Sequence, residues 1–421
     1  MRFIADFHLH SKYSRATSRD MDLEHLAQWA KIKGIKVLGT GDFTHPEWLK
    51  YLKENLEPAE PGLYYLKSQI SNLKSEDKTR FILTAEISCI YSKKGRVRKI
   101  HIIVFAPSFE VVEKINVQLG WIGNLKSDGR PILGLDAKEL AKIVLNASED
   151  CLVVPAHLWT PYFGLLGSKS GFDSIEECFD EYSKYIYSIE TGLSSDPVMN
   201  WRLSALDKIT LISNSDAHSP QKIGREANVF DAELSYQSII EAIKTKNPQK
   251  FLYTIEFFPE EGKYHYDGHR LCEIKLSPQE TKKYNGICPV CGKPLTIGVL
   301  NRVEQLSDRP EGFRPEGAIP FKSLVPLEEI IADALGQNKG TKEVEKNYKD
   351  LIEKFNSEFD ILLEIPQEKM EGMILPEIVE GIIKVREGKV FKDAGYDGVY
   401  GKISVFSQGE QKTLSRQKTL F

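Results

Sequence analysis

From its start to about residue 247, the chain repeats one pattern: a short apolar run, chemically active side chains at its end, then apolar positions three and four apart. Short apolar runs are the mark of buried strands, and the three-and-four spacing is that of a helix with one buried face. Asp22 is placed to cap a helix that carries Leu23, Leu26, Ala27 and Ala30 on one side and stops before Gly34. Ile35–Thr40, Phe81–Ala85, Ile100–Phe105, Leu152–Ala156, Tyr187–Ile189 and Ile209–Ser215 read as strands. Such alternation predicts an α/β barrel or a doubly wound sheet. Beyond residue 326 the period is helical: Leu327, Ile330, Ile331, Ala334 and Leu335 share one face, and Tyr348, Leu351, Ile352, Phe355, Phe359 and Leu362 continue it. Ile374–Val385 predicts one more helix, and Gly395–Ile403 is turn-rich.

The ends of the apolar runs carry the chemistry. His8 and His10 alternate with Leu9 on a strand-like stretch, so they project to one side, with Asp6 on the same side. Later runs end at Asp42 and His45, at Glu86, at His157, at Glu190, and at Asp216 with His218, while His101 lies within a run. In α/β barrels and open sheets the carboxyl ends of the strands converge on one face. A single buried histidine is most often a hydrogen-bonded core residue, but repeated imidazoles and carboxylates converging on one face point to a polynuclear metal site. Mixed nitrogen and oxygen donors suit two or three zinc, manganese or magnesium ions, with Glu86 suited to bridge them. Such ions supply hydroxide near neutral pH and clamp a phosphoryl group, which makes phosphoester hydrolysis the expected reaction class.

Composition narrows the picture further. The 421 residues exceed one ordinary core, and 41% hydrophobic with 28% charged residues describes a globular protein without an apolar run long enough to span a membrane. Met1–Asp6 lacks the features of a signal peptide, so a cytoplasmic location is expected. Cys89, Cys151 and Cys178 stand singly in apolar surroundings and read as buried thiols. The other cysteines cluster: His269-x-x-Cys272 and Cys288-x-x-Cys291 form a four-ligand structural zinc site, with His265 as an alternative fourth ligand. Net charge is only −4, so a nucleic-acid partner has to be met by local basic patches. Lys93, Lys94, Arg96, Arg98 and Lys99 form one such patch, able to follow a phosphate backbone or to sit in a solvated hairpin turn. Asp196 is a candidate for catalysis or base contact, or the cap of a helix starting near Pro197, with Asn200 and Trp201 following on its first turns.

Taken in order, Asp6-Phe7-His8-Leu9-His10-Ser11, the motif around Asp42, Glu86, His101, His157 and Asp216-Ala217-His218 resemble the motifs of the polymerase and histidinol phosphatase (PHP) superfamily. The resemblance covers about residues 1–247 and implies a distorted (β/α)7 barrel with a trinuclear metal centre. It carries His8, His10, Glu86, His101, His157, Asp216 and His218 over as metal ligands. This chain departs from the family pattern in two places, with Arg15 where an acid is common and Asp42-Phe43 where an Asp-His pair is common. His45 is a candidate to replace the missing imidazole, Arg15 is expected either to bind a substrate phosphate or to form a surface salt bridge, and Asp6 either binds metal or orients a ligand histidine from behind. Asp42, Asp196 and Arg15 are the catalytic candidates.

The whole order of parts resembles the archaeal endonuclease Q family: a barrel (1–247), a zinc-binding module with a loop-rich extension (248–325), a helical domain (326–406) and a tail (407–421). In the tail, Gln417, Leu420 and Phe421 resemble the start of a sliding-clamp-binding peptide. The resemblance implies a DNA repair endonuclease that cuts on the 5′ side of deoxyuridine, hypoxanthine or an abasic site, with the lesion pocket near Asn200, Trp201 and the zinc module. The alternatives are a PHP-type small-molecule phosphatase and a non-catalytic DNA-binding scaffold.

Overall fold

The computed structural model describes residues 1–69, 78–407 and 409–410. The strands of its first half are β1 (Arg2–Asp6), β2 (Val37–Gly39), β3 (Leu56–Pro58), β4 (Tyr64–Leu66), β5 (Arg80–Lys93), β6 (Arg96–Ala106), β7 (Ile132–Leu133), β8 (Leu152–Pro155), β9 (Ser188–Glu190), β10 (Thr210–Ile212), β11 (Ala227–Asp231) and β12 (Phe251–Glu256). Their hydrogen bonds run β12-β11-β1-β2-β5, then through β6 to β8, and β9 pairs with β10 in a separate parallel ladder. The β1-β2-β5 core is parallel, whereas β11 and β6 run antiparallel to their neighbours. The fold is therefore mixed α/β. Among the described residues the hydrogen bonds join an eleven-stranded sheet and the separate β9–β10 ladder without tracing the closure of a seven-stranded barrel.

Local sequence accounts for the elements. Asp22 accepts a hydrogen bond from the His25 amide at 3.1 Å to open the helix Leu23–Lys33, and Gly34, at φ 85°, closes it as the pattern predicts. The longest pair, β5 and β6, is rich in β-branched and aromatic residues, and its two-residue turn, Lys94-Gly95, has positive φ at both positions (51° and 74°). That turn geometry matches the strand twist and sets Lys93 opposite Arg96. Apolar side chains from both sheet faces are buried, with Phe3, Phe7, Phe105, Phe230 and Phe251 packed on one side.

The zinc-module region adds a small antiparallel pair, β13 (Asp267–His269) and β14 (Ile274–Leu276), and then β15 (Phe321–Ser323). β15 pairs in parallel with β12, and β12 antiparallel with β11, so the expected boundary at 247 falls inside the main sheet. The helical region consists mainly of Leu327–Leu335, Lys342–Phe355 and Pro376–Arg386. Asn356, at φ 76°, breaks the second of these, so Phe359 and Leu362 come from a separate turn and not from a continuing face. The stretch expected as turns contributes to a hairpin of β16 (Phe391–Asp393) and β17 (Lys402–Ser404). A buried Lys33–Glu358 ion pair at 2.7 Å, joined by the Tyr348 hydroxyl, ties this region to the first helix. Among the described residues no helix is long and apolar enough to cross a membrane. Gln417, Leu420 and Phe421 lie outside the described residues.

Candidate metal centre

At the carboxyl ends of β1, β8, β9 and β10, and along β5 and β6, the expected side chains meet. His8, His10, Glu86 and Asp216 each bring one donor atom to within 4.8 Å of the others, and Glu86, His101 and His157 form a second such group. Glu86 belongs to both. Its Oε1 lies 2.7 Å from His101 Nδ1 and 3.1 Å from His157 Nε2, while its Oε2 lies 3.3 Å from His10 Nε2 and 3.6 Å from His8 Nε2. A carboxylate so placed can bridge two ions.

What holds the imidazoles is as informative as where they point. His8 Nδ1 donates to Glu190 at 3.0 Å, His10 Nδ1 to Asp42 at 3.1 Å, and His218 Nδ1 to the Asp216 carbonyl at 2.8 Å. His157 Nδ1 donates to Thr160 Oγ1 at 2.8 Å, because that hydroxyl gives its own hydrogen to the His157 carbonyl. Each of these acceptors fixes the proton on Nδ1 and leaves a lone pair on Nε2, the state a metal requires. His8 Nε2 is buried without a hydrogen-bond partner. An orphaned buried nitrogen facing two carboxylates fits a cation.

The electrostatics agree. Burial alone would lower the His8 pKa, but Glu190, Glu86 and Asp216 outweigh it and raise it well above the usual value. His10 is likewise raised well above normal against burial, by Asp42, Asp216 and Glu86. Burial would push Glu86 up, yet His101, Arg130 and His8 hold it well below the carboxylate range, and Asp216 is lowered by His8 and His10. A site that draws protons onto two histidines this strongly has a negative field that a divalent cation would neutralise. His101 differs: burial pulls it down to about 4 despite Glu86, so it is a neutral donor at physiological pH.

The remaining expected residues fall into distinct places. Asp42 does not face the donors: its Oδ1 meets His10, and its Oδ2 accepts from the Ser11 amide, Ser11 Oγ and Ser14 Oγ at 2.6–2.8 Å. With both oxygens engaged, it orients His10. Asp6 accepts from the Ser215 and Gly224 amides, so it braces the segment leading to Asp216 and holds no histidine. His45 stacks on Tyr13 at 4.5 Å and joins neither donor group, so it is no substitute ligand. His218 lies outside both groups, with its ring 4.6 Å from that of His10. Asp196 caps the short helix Pro197–Asn200 by accepting from the Met199 amide at 2.9 Å.

Asn200 is fully enclosed: Trp159 donates to it at 2.8 Å, and it donates to Ser195 Oγ and the Asp196 carbonyl. Trp201 is 9% exposed and packs edge-on against Phe321. Neither presents itself to DNA, because each completes local packing. In the basic patch, Lys93 is held by the Cys178 carbonyl and Asp180, and Arg98 bonds the Gly171 carbonyl and lies on Phe172. Lys99 lies over the Phe163 ring at 5.7 Å. Lys94 and Arg96 remain exposed at the turn.

Arg130 escaped the sequence reading, and so did the role of Glu190. Arg130 donates to Glu86 Oε2 at 3.0 Å and lines the cleft over the centre. It follows Asp128, which pairs with the 73% exposed Arg15 at 3.1 Å, so two guanidiniums stand at one rim. Gly129 between them is required by close approach, since an added Cβ would lie 2.2 Å from Asp42 Oδ2. No local pattern marks Arg130, because its meaning comes only from the folded loop. Glu190 was visible as a strand end, but its grip on His8, Asn214 and the His157 amide was not.

In the second region, His269, Cys272, Cys288 and Cys291 bring one donor each to within 4.8 Å. His269 Nδ1 is 3.5 Å from Cys291 Sγ, and His265 stacks on Tyr266 outside the group. Burial would raise Cys288, but the amides of Cys291 and Val290 lower it below the usual thiol value, as suits a thiolate ligand.

Fold and donor array together define a PHP-type phosphodiesterase. The chain superposes on lesion-specific PfuEndoQ from Pyrococcus furiosus with TM-score 0.84 and 31% identity, over 96% of this chain and 95% of that one. Endonuclease Q in complex with a 27-mer duplex bearing an abasic lesion gives TM-score 0.84 and 30% identity over 98% of both chains. The chain belongs to the endonuclease Q family. Residues 326–389 match the family model described as the MJ0043 C-terminal domain. The uncharacterized protein MJ0043 of Methanocaldococcus jannaschii is 32% identical over 72% of this chain, which spans 40% of that protein. The uncharacterized protein YqxK of Bacillus subtilis is 28% identical over 96% of this chain and 99% of its own length.

Proposed function

We propose that this protein is a metal-dependent DNA repair endonuclease that hydrolyses the phosphodiester bond on the 5′ side of deoxyuridine, hypoxanthine or an abasic site. One observation carries the reading: the likeness to endonuclease Q extends along nearly the whole chain, through the strand ends where the donor array gathers. His8, His10, Glu86 and Asp216, and Glu86, His101 and His157, would hold divalent ions, with the His218 ring beside that of His10. Zinc, manganese or magnesium so bound would supply Lewis acidity toward the phosphoryl oxygens and a hydroxide near neutral pH.

The chain's own groups do the rest. Glu190, Asp42 and Thr160 hold His8, His10 and His157 in one tautomer and orientation. Arg130 and Arg15, both lining a cleft of about 500 Å³ over the donors, are placed to bind the non-bridging oxygens of the target phosphate, Arg15 by exchanging Asp128 for the substrate. A damaged or mispaired nucleotide is the least costly to extrude into such a cleft. His269, Cys272, Cys288 and Cys291 would hold a structural zinc, so a Cys288→Ser protein should contain about one zinc fewer per chain by elemental analysis. The tail ending in Gln417, Leu420 and Phe421 would engage a sliding clamp; removing residues 408–421 should then abolish clamp binding and preserve basal cleavage.

The decisive assay incubates purified protein with each metal and end-labelled duplex carrying one deoxyuridine, hypoxanthine or abasic site. A nick 5′ of the lesion, absent with His8→Ala, is expected. Phosphate release from a sugar phosphate without any nick would overturn the reading in favour of a small-molecule phosphatase.

A further inference from the structure

Three clefts adjoin one another. The cleft over the metal centre shares Leu193 with a second, of about 500 Å³, between the first half of the chain and the β16–β17 hairpin. The second shares Lys222, Arg225, Glu329 and Lys339 with a third, of about 530 Å³, bordered by Trp29 and Tyr348. They form one trough that leads away from the donors.

Its acids and cations are nearly equal in number, but most of the acids have partners within the fold and several of the cations have none. Most of the acids are engaged within the fold: Asp333 accepts the Val405 and Phe406 amides, Glu328 the Gly340 amide, and Glu329 the Lys339 ammonium at 2.6 Å, while Glu345, exposed in the third cleft, is the exception. Glu261 is raised to about 7 by burial and by Glu329, so it is only partly ionised at neutral pH. The cations are less engaged. Among the described residues Lys222, Lys349 and Lys402 have no carboxylate within 4.0 Å, and Arg225 reaches Glu329 only at 3.8 Å. Burial first, then the neighbouring Arg225 and Lys339, lower the Lys222 pKa against the pull of Glu329.

Aromatic rings are interleaved with these cations. Tyr400 is 74% exposed at the edge of the second cleft, and Lys263 spans it and Tyr264, its ammonium 5.7 Å and 5.8 Å from the two rings. Arg225 lies over Phe257 at 5.0 Å. Phe257 is buried, so the exposed Tyr400 is the ring a base could reach, and unpaired lysines beside such a ring are the pattern that follows a single strand: phosphates meet the cations and an unstacked base meets the ring.

We infer that this trough, from Leu193 past Tyr400 and Lys222 to Lys349, binds the single-stranded DNA that flanks the target nucleotide. The inference rests on the proposed endonuclease reading for its orientation, but its test does not need cleavage. Fluorescence anisotropy with labelled, undamaged oligo-dT and the metal-loaded protein measures binding alone. The Lys222→Glu/Lys402→Glu protein should bind at least tenfold more weakly, and its log affinity against log salt should flatten by about 1.4, near 0.7 for each lost phosphate contact. Tyr400→Ala should weaken binding and leave that slope unchanged, which separates stacking from charge. Lys369→Glu, exposed outside the trough, controls for net charge, and parallel circular dichroism melts control for folding. Affinity and slope within twofold of the parent would overturn the inference. So would an equal loss for single strand and blunt duplex, which would make the trough a duplex surface. A parent that binds oligo-dT through these residues yet nicks no lesion would sink the endonuclease reading and leave the trough standing.

Discussion

Glu190 holds His8 while accepting from Asn214 and the His157 amide, and Asp42 does the same for His10 with three further donors. Carboxylates behind metal-binding imidazoles set ring orientation and basicity, and losing them typically weakens metal binding 10–100-fold. Glu190→Gln and Asp42→Asn should each lower affinity for zinc or manganese by about that factor in a calorimetric titration, with secondary structure intact. Unchanged affinity would return Asp42 to the list of direct catalysts. Another buried carboxyl, Glu256, is pushed up to about 8 by burial and held among the Thr191, Thr254 and Ser213 hydroxyls. Its folded pKa exceeds its unfolded one, so the folded chain binds the extra proton and stability falls as pH rises from about 4.5 through about 8. Glu256→Gln removes the titrating group. Its melting temperature should gain on the parent's between pH 6 and pH 9; a constant difference would show that Glu256 is not the source. At this scale the donors themselves were legible, since His8, His10, Glu86, His101, His157 and Asp216 each sit on or just past a recognisable apolar run. Their supports were not. Arg130, Thr160 and Asn214 acquire meaning only when loops distant in sequence are folded against one another.

At the scale of elements, the β5–β6 hairpin divides into two parts. Near its base, Glu86 and His101 serve the metal centre; toward the turn, Lys93, Arg98 and Lys99 are bound to the body of the protein. Sequence spacing showed five cations, but only contacts could show that three are occupied. Lys94 and Arg96 are left to meet a phosphate backbone, about six residues and so roughly 20 Å along the strand from His101. Lys94→Glu/Arg96→Glu should weaken duplex binding and lower the salt slope by up to about 1.8, near 0.9 per contact, without altering metal content. An unchanged slope would make the turn a solvated surface. Helix ends were easier to read, because caps are local: Asp22 and Gly34 bound their helix as expected. Short strands such as β3, β4 and β7 were missed because two or three residues carry no period, and pairing with β4 or β5 alone defines them.

For the molecule as a whole, the sequence divided the chain by texture, and the structure joins what that division separated. Residues 1–247 carry the donors, yet the sheet they build continues into β12 and β15, supplied by the next segment. Phe230 on β11 stacks on Phe3 at 5.5 Å and on Phe251 of β12 at 4.7 Å, so a cut at 247 opens a row of backbone groups and removes part of this packing. The helices Leu327–Leu335 and Pro376–Arg386 bury their apolar faces in the same cluster as Leu23, Leu26 and Ala30. The metal centre and the helical region are thus parts of one hydrophobic unit. Burying one large apolar side chain is worth about 1.5–3 kcal/mol, and net stability is only about 5–15 kcal/mol, so losing Phe251, Ile255 and the helix faces together exceeds what the fragment can bear. A protein ending at 247 should be insoluble or bind anilinonaphthalene sulfonate without a cooperative melt, whereas one ending after Phe406 should melt as the parent does. If the 247-residue fragment melted cooperatively near the parent temperature and still bound metal, the first region would be an independent domain, and the sheet shared with β12 and β15 an accessory to it.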